Sequence, residues 1–419
     1  MSSSSQQREK IINPPMYWDV LVLVGVVLYA TLCAFGVATD VVSYRIWGSV
    51  TAVAGVVTAL GLAFSRGRLR TPFFTFFVAA SALVSTIGGI VYRAQAGCTG
   101  VAKECGANME TAVVERGGEL FLQHGTPYLD IATLAHPQVW HYNPYSPLLS
   151  VFGVPRAIFG SHWWTDARWF FLLATLLVLW VAWYMADRPR IPHGAILLLA
   201  AAPPVTMNFV AAGIDALIVA LMVWAMVAVW RGQSFIGGLI AATAAGMKLT
   251  AFPVVVVAAV FAFCRPGRKR SHGPLFLGAT LISLVAVYVP AFGINKEAFL
   301  ENVIRYPLGL SRVTSSAQGG TPGQLISNIG PAGKSVVLGF LVVAVFLIVA
   351  WMFWQPPRTI TRAYAVSAVG LLTAMLLMPA SRFGYLIYPA VLTVAAFTSF
   401  CADTGRTPRL RPHPAESTQ

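Results

Sequence analysis

The chain has 419 residues, 57% of them hydrophobic and 11% charged, with a mean hydropathy of +0.70. A water-soluble domain of this length needs far more polar surface, so the composition excludes one and points to a polytopic membrane protein. The net charge of +14 does not call for nucleic acid, because the basic residues stand in short clusters between apolar runs, as in loops retained in the cytoplasm.

Residues 1–16 read as a cytoplasmic N-terminal segment. Arg8 and Lys10 precede an apolar span over 17–37 that is longer than the core of a secretory leader and lacks a small-residue cleavage site. Further spans, each near the roughly 20 residues needed to cross a bilayer, are expected over 45–65, 72–92, 163–186, 193–212, 213–231, 234–248, 250–265, 274–292, 334–354, 363–379 and 384–401. Clusters at Arg66, Arg68 and Arg70, at Arg188 and Arg190, at Arg265, Arg268, Lys269 and Arg270, and at Arg358 and Arg362 orient these spans with their basic loops inside. The third span then emerges outside, and 93–162 and 293–333 become extracytoplasmic loops. The expected fold is all-α, with about twelve membrane helices over 17–401 and a polar, Pro-rich cytoplasmic tail over 402–419, carrying Arg406, Arg409 and Arg411, that is expected to be disordered. No later segment repeats the long first loop, which weighs against a transporter built from duplicated halves.

The first loop opens with CTGVAKEC. In an oxidising compartment Cys98 and Cys105 suit a local disulfide; the alternative is a pair of free thiols. No second Cys or His pair has the spacing of a zinc site. Cys33, Cys264 and Cys401 lie in or beside apolar spans and read as packing residues.

The stretch METAVVERGGELFLQHGTPYLD, residues 109–130, gathers Glu110, Glu115, Glu119 and Asp130 in a chain poor in charge. Glu115 and Glu119 read as a solvated face with Arg116, and Asp130 as a cap on the turn after Tyr128. Glu110 is either a helix-start residue favoured by the helix dipole or a functional carboxylate. His124, His136 and His141 read as structural or water-exposed rather than metal ligands, and Trp140 and Tyr142 as interfacial aromatics at headgroup level. The segment 146–160, apolar but short and interrupted by Pro155, is expected to lie along or partly into the outer leaflet.

The stretch 234–264 lies between two basic loops yet is too short for two full crossings. Two short helices meeting near Lys248, Thr250 and Pro253 resolve the conflict, with Pro253 limiting the helix at Phe252 and Lys248 at the outer tip. Such broken helices are tolerated only in protein surroundings or along a cavity, so a pocket is expected there. Lys248 either contacts an anion or snorkels to the interface; Asp215, near the outer end of its span, serves either the pocket or a helix cap.

Walker-type, HExxH and GxSxG motifs are absent. What converges on the outer face is a set of carboxylates opposite Lys248, Arg305, Arg312 and Arg382. Cations would hold a phosphate by charge-assisted hydrogen bonds, while a carboxylate takes a proton from an incoming hydroxyl. That chemistry suits a phosphorylated lipid.

These motifs carry a resemblance. METAVVERGGELFLQHGTPYLD followed by WHYNPYSPLLSVFGVP resembles the first outer loop of GT-C type, polyprenol-phosphate-sugar-dependent glycosyltransferases, most closely family 87 with its actinobacterial mannosyl- and arabinosyltransferases. Glu110, Gly125, Tyr128, Tyr142 and Pro144 take the places of that loop's acidic residue, G-x-x-Y element and Y-x-P segment. GMKLTAFPVVV is similar to the family's Lys-x-x-x-Pro hairpin, with four residues rather than three between Lys248 and Pro253. LMPASRFGYLIYP resembles its late Pro–Arg/Tyr element, and the likeness covers roughly 105–395.

The resemblance implies a GT-C-like membrane enzyme in the plasma membrane with an extracytoplasmic site. Glu110 would be the general base, where the family usually has Asp; three spans precede the loop where relatives have one. Lys248, Arg305, Arg312 and Arg382 would hold the donor phosphate, with Tyr128, Asp130, His141, Tyr142 and Asp215 as substrate contacts. The implied partners are a polyprenyl-phosphate-sugar donor, an envelope glycan or glycolipid acceptor and membrane lipids. No cofactor is required by the sequence, and no dedicated ligand set for a divalent metal is visible. Two other classes share the cationic pocket: a transporter or flippase of a lipid-linked sugar or anionic lipid, and a non-catalytic relative that supports envelope assembly.

Overall fold

In lipid a backbone must satisfy its own hydrogen bonds, so long apolar segments fold as helices. In the computed structural model all the expected apolar segments are helical. The structure describes residues 13–98, 105–267, 269–315, 317 and 319–405; Arg8, Lys10, Arg268 and the expected tail from 406 on lie outside the described residues.

In chain order the helices are α1 (Met16–Ala34), α2 (Val42–Phe64), α3 (Arg70–Gln95), α4 (Met109–His124), a short α5 (Val154–Phe159), α6 (Ala167–Met185), α7 (His193–Ala200), α8 (Pro203–Ala211), α9 (Ile214–Trp230), α10 (Ser234–Met247) and α11 (Phe252–Cys264). The series continues with α12 (His272–Ile294), α13 (Lys296–Phe299), a π-helical stretch Leu300–Arg305, α14 (Pro322–Ser327), α15 (Pro331–Trp354), α16 (Ile360–Leu377) and α17 (Ile387–Gly405). Among the described residues, 8 helices are long and apolar enough to cross a membrane, or up to 9 when one bent pair is taken as a single span.

That bent pair corrects the expected single span over 193–212: α7 and α8 meet at 57°. The cause is local. Pro203 offers no N–H to the preceding turn, and it drives Ala202 out of the helical region, to φ −112° and ψ 82°.

The core is organised around α9, which packs on α6, α10 and α17. Its residues are buried on every side, with Val223 and Trp224 the exceptions before Trp230. A helix apolar all round belongs in an interior. The opposite case is α15, where only Gly333, Val337 and Met352 are buried and Val342, Phe346 and Leu347 point outward. So large an exposed apolar face fits lipid as its medium.

The expected hairpin is present with its break near Lys248 and Thr250, but Pro253 does not end a helix there. Phe252 is helical despite the proline that follows, and Pro253 sits in the first turn of α11, where its missing N–H costs nothing. The chain leaves α10 at Lys248, which is extended (φ −156°, ψ 135°), and makes one 3-10 turn over Leu249–Ala251.

Within the first loop, the segment 146–160 is partly tucked into protein. It runs as a 3-10 helix over Pro147–Gly153 into α5, with Leu149 and Ser150 buried beneath α4. Gly118 and Gly153 let the two backbones touch: a Cβ on Gly118 would lie 2.3 Å from the Gly153 carbonyl carbon.

Both ends of α3 carry buried charge. At its start Arg70 forms a forked ion pair with Asp19 of α1, which is fully buried, and Asp19 Oδ1 also lies 3.0 Å from His193 Nε2 of α7. Thr71 Oγ1 stands 3.3 Å from the other imidazole nitrogen. At its end Arg93 reaches Glu115 of α4 and Asp166, the residue that caps α6.

Candidate active site

Glu110 occupies the first turn of α4, two residues after the N-cap residue Asn108. The carboxylate accepts a hydrogen bond from Tyr145 Oη at 2.9 Å and is ion-paired with Arg382 from the turn before α17. Burial, then the nearby Tyr385 and Asp215, push the Tyr145 phenol well above its usual pKa. It therefore stays protonated and donates to Glu110.

Asp215 lies in the first turn of α9, which starts at a left-handed glycine, Gly213. Its Oδ1 accepts from Lys248 Nζ at 2.5 Å and from Tyr388 Oη at 2.6 Å; Oδ2 takes Asn208 Nδ2 at 3.4 Å. Asn208 uses its own oxygen to accept the Ala216 amide, which fixes the start of α9. Lys248 does not snorkel: it is 7% exposed and closed in by the pair with Asp215.

The two ion pairs share aromatic walls. Lys248 Nζ stands 4.5 Å from the Tyr385 ring centre and 5.5 Å from that of Tyr145, while Arg382 Cζ lies 4.9 Å from Tyr385. Two carboxylates, two cations and three phenols thus form one cluster in which cation–π contacts supplement the charge pairs. Glu110 is 8% exposed, and the Arg382 side chain, at 23%, is the more open cation.

The rest of the first loop holds Tyr145 in place. Tyr128 is buried and donates to the Tyr145 carbonyl at 2.8 Å. Asn143, which sequence reasoning missed, accepts the Tyr145 amide at 3.2 Å, donates to the Pro127 carbonyl at 3.1 Å, and sends its own amide to Asn302 Oδ1 at 2.7 Å. Tyr142 is buried in protein; it stacks on Tyr306 at 4.3 Å and donates to Glu301 at 3.3 Å. Trp140 beside it is exposed.

Other expected contacts lie elsewhere. Asp130 caps its turn, accepting from the Ala132 amide at 3.1 Å and from Asn295 Nδ2 at 3.3 Å. His141 Nδ1 accepts the Gln138 amide at 2.9 Å; partial burial, then the Arg116 charge, hold its pKa below the usual histidine value. Arg305 is half-buried and pairs with Glu297 and Glu301 at 3.1 and 3.4 Å, and Arg312 is exposed in the following turn. Cys98 and Cys105 are joined as a disulfide with Cα atoms 5.4 Å apart. Among the described residues no group of three or more His, Cys, Asp or Glu could hold a metal ion.

One expectation is overturned on α4. Glu115 does not share a solvated face with Arg116, because adjacent helical residues point in different directions. It is buried, held by both terminal nitrogens of Arg93 at 2.7 and 2.9 Å and by Arg156 at 3.2 Å. Arg116 instead reaches the carbonyls of Trp140 and His141, and Glu119 accepts from Gln123 at 3.3 Å on the exposed side.

Comparison with known proteins follows the same outline. The family model described as glycosyltransferase family 87 matches residues 142–379. This stretch is more than half of the chain and takes in Tyr145, Asp215 and Lys248 while stopping short of Glu110 and Arg382. No curated protein and no solved structure matches the chain. With 8 membrane-length apolar helices among its described residues and a match of that extent, the chain is a membrane protein belonging to glycosyltransferase family 87.

Proposed function

We propose that the protein transfers one sugar, mannose or arabinose, from a polyprenyl phosphate to an envelope glycan or glycolipid on the extracytoplasmic face of the plasma membrane. The observation that carries this reading is the meeting of Glu110, Arg382, Lys248 and Asp215 around Tyr145 and Tyr385. A base and phosphate-binding cations are what glycosyl transfer from a lipid phosphate requires.

In this reaction the acceptor hydroxyl oxygen bonds to the anomeric carbon and gives its proton to Glu110. The bond from that carbon to the phosphate oxygen breaks, and the polyprenyl phosphate leaves with the electron pair. Arg382, the more open cation, meets the donor phosphate; as it turns to the phosphate it releases the Glu110 carboxylate to act as base. Lys248 stays on Asp215 and adds positive field behind Tyr385. The polyprenyl chain lies among the membrane helices.

The test is transfer from radiolabelled polyprenyl-phosphate-sugar in membranes carrying the wild type or Glu110→Gln. Loss of the general base is expected to lower transfer by about 10²- to 10⁴-fold, with donor binding retained. Wild-type membranes that transfer no sugar from mannosyl or arabinosyl donors overturn the reading. A donor lipid that still moves across the membrane in Glu110→Gln would favour a transporter instead.

A further inference from the structure

Arg168 lies one residue inside α6, in a stretch of the sequence that reads as an ordinary apolar span, and it is fully buried. A guanidinium has five N–H donors. All five of Arg168 are used: Nε and Nη2 fork onto Asp166 at 2.9 and 2.8 Å, Nη1 donates to the carbonyls of Gly106 and Val210 at 2.7 and 3.0 Å, and Nη2 also reaches the Gly89 carbonyl at 3.3 Å. Asp166 is saturated in turn, taking the Arg168 amide at 3.0 Å and Arg93 Nη1 at 2.9 Å.

The acceptors of Arg168 lead to both halves of the candidate site. Gly106 directly precedes the entry into α4, where the Asn108 amide and Thr111 Oγ1 both donate to the Ala211 carbonyl at 3.1 and 3.0 Å, on either side of Glu110. Val210 lies next to Ala211 on α8, two residues from Asn208, which holds Asp215 and the first turn of α9. One side chain therefore fixes the spacing between the segment that carries Glu110 and the segment that carries Asp215 and, through it, Lys248. Lysine, with three donors on a flexible stem, cannot reproduce this fork.

We propose that Arg168, oriented by Asp166, is a positioning residue for the transfer reaction: it sets the distance between the Glu110 carboxylate and the Asp215–Lys248 pair. This inference rests on the proposed glycosyl transfer for its kinetic consequence and on geometry alone for its structural one.

The test uses the full chain in lipid nanodiscs, with Arg168→Lys and, as an independent perturbation that keeps the charge, Gly89→Ala. A Cβ at Gly89 would lie 2.9 Å from Arg168 Nη1 and 3.2 Å from the Gly106 carbonyl oxygen, so it displaces the guanidinium from its seat. Both variants are expected to lose about tenfold or more in kcat for the radiolabelled donor, since misplacement of about 1 Å already slows catalysis strongly. KM for the donor should stay within about twofold, because Arg168 touches no substrate. Hydrogen exchange should quicken over residues 105–112 and 208–216 and nowhere else. Wild-type kcat in both variants, or exchange that rises throughout the chain, overturns the assignment. Should the wild type transfer no sugar, the glycosyl-transfer reading falls, and the exchange pattern alone decides the role of Arg168.

Discussion

The candidate site and the Asp19–Arg70–His193 cluster are both buried ion clusters seated on first turns of helices, yet they differ in where their cations stand. Arg70 and His193 are helical residues, each the first of its helix. Lys248 and Arg382 are extended, at φ −156° and ψ 135° and at φ −147° and ψ 158°, in the breaks before the 3-10 turns that lead into α11 and α17. The acids behave alike in both places: Asp19, Glu110 and Asp215 all lie in the first turn of a helix, where the dipole favours negative charge. Side chains change partner by rotation about their own χ torsions whatever the backbone, so the contrast lies in where the cations stand: at breaks between helices in the candidate site, at helix starts in the Asp19 staple.

Three experiments bear on this contrast. The largest effect is expected from Lys248→Met, which strands Asp215 as a buried, unpaired charge. Thermal unfolding in detergent should show a loss of about 3–5 kcal/mol, and transfer should fall with it. Adding Asp215→Asn should restore much of the stability and none of the transfer; a double variant that transfers normally would reduce the site pair to a staple like the other. Asp19→Asn comes next, with a loss of about 1–3 kcal/mol from a broken buried network. Transfer per folded molecule should stay within about twofold, and a selective fall in kcat would erase the distinction between the two clusters.

Tyr145→Phe has the smallest expected effect, about 0.5–1.5 kcal/mol for one hydrogen bond, or up to about tenfold in rate. Its sign shows in the pH profile. The phenol donates to the ionised form of Glu110, so its removal raises the carboxyl pKa. A base works only when ionised, so the acid limb of the transfer rate should move to higher pH while the plateau moves little. A profile that shifts to lower pH, or not at all, would mean that Tyr145 does not hold the base.

Much of the helix order was legible in the sequence, because apolar length and basic flanks report spans directly. The α7–α8 bend escaped because hydropathy is blind to geometry, although Pro203 and Pro204 carried the signal. Asp215 and Lys248 were each recognisable as polar residues at the ends of apolar runs, but their pairing depends on how α9 and the hairpin pack, which no local pattern reveals. Tyr385 and Tyr388 stood in a motif singled out for its arginine; buried phenols look like core until their partners are known. Arg168 is the clearest miss. An arginine inside an apolar span is costly and therefore informative, yet the span over 163–186 was read by its hydropathy alone.

The legs of the Lys248 hairpin, α10 and α11, have 14 and 13 residues, or about 21 and 20 Å at 1.5 Å per residue, short of a hydrocarbon core of about 30 Å. Neither leg could be handed to lipid alone during synthesis with a lysine at its tip. Asp215 on α9 neutralises that lysine, so the ion pair that closes the candidate site also lets a short, polar-tipped hairpin sit among the membrane helices.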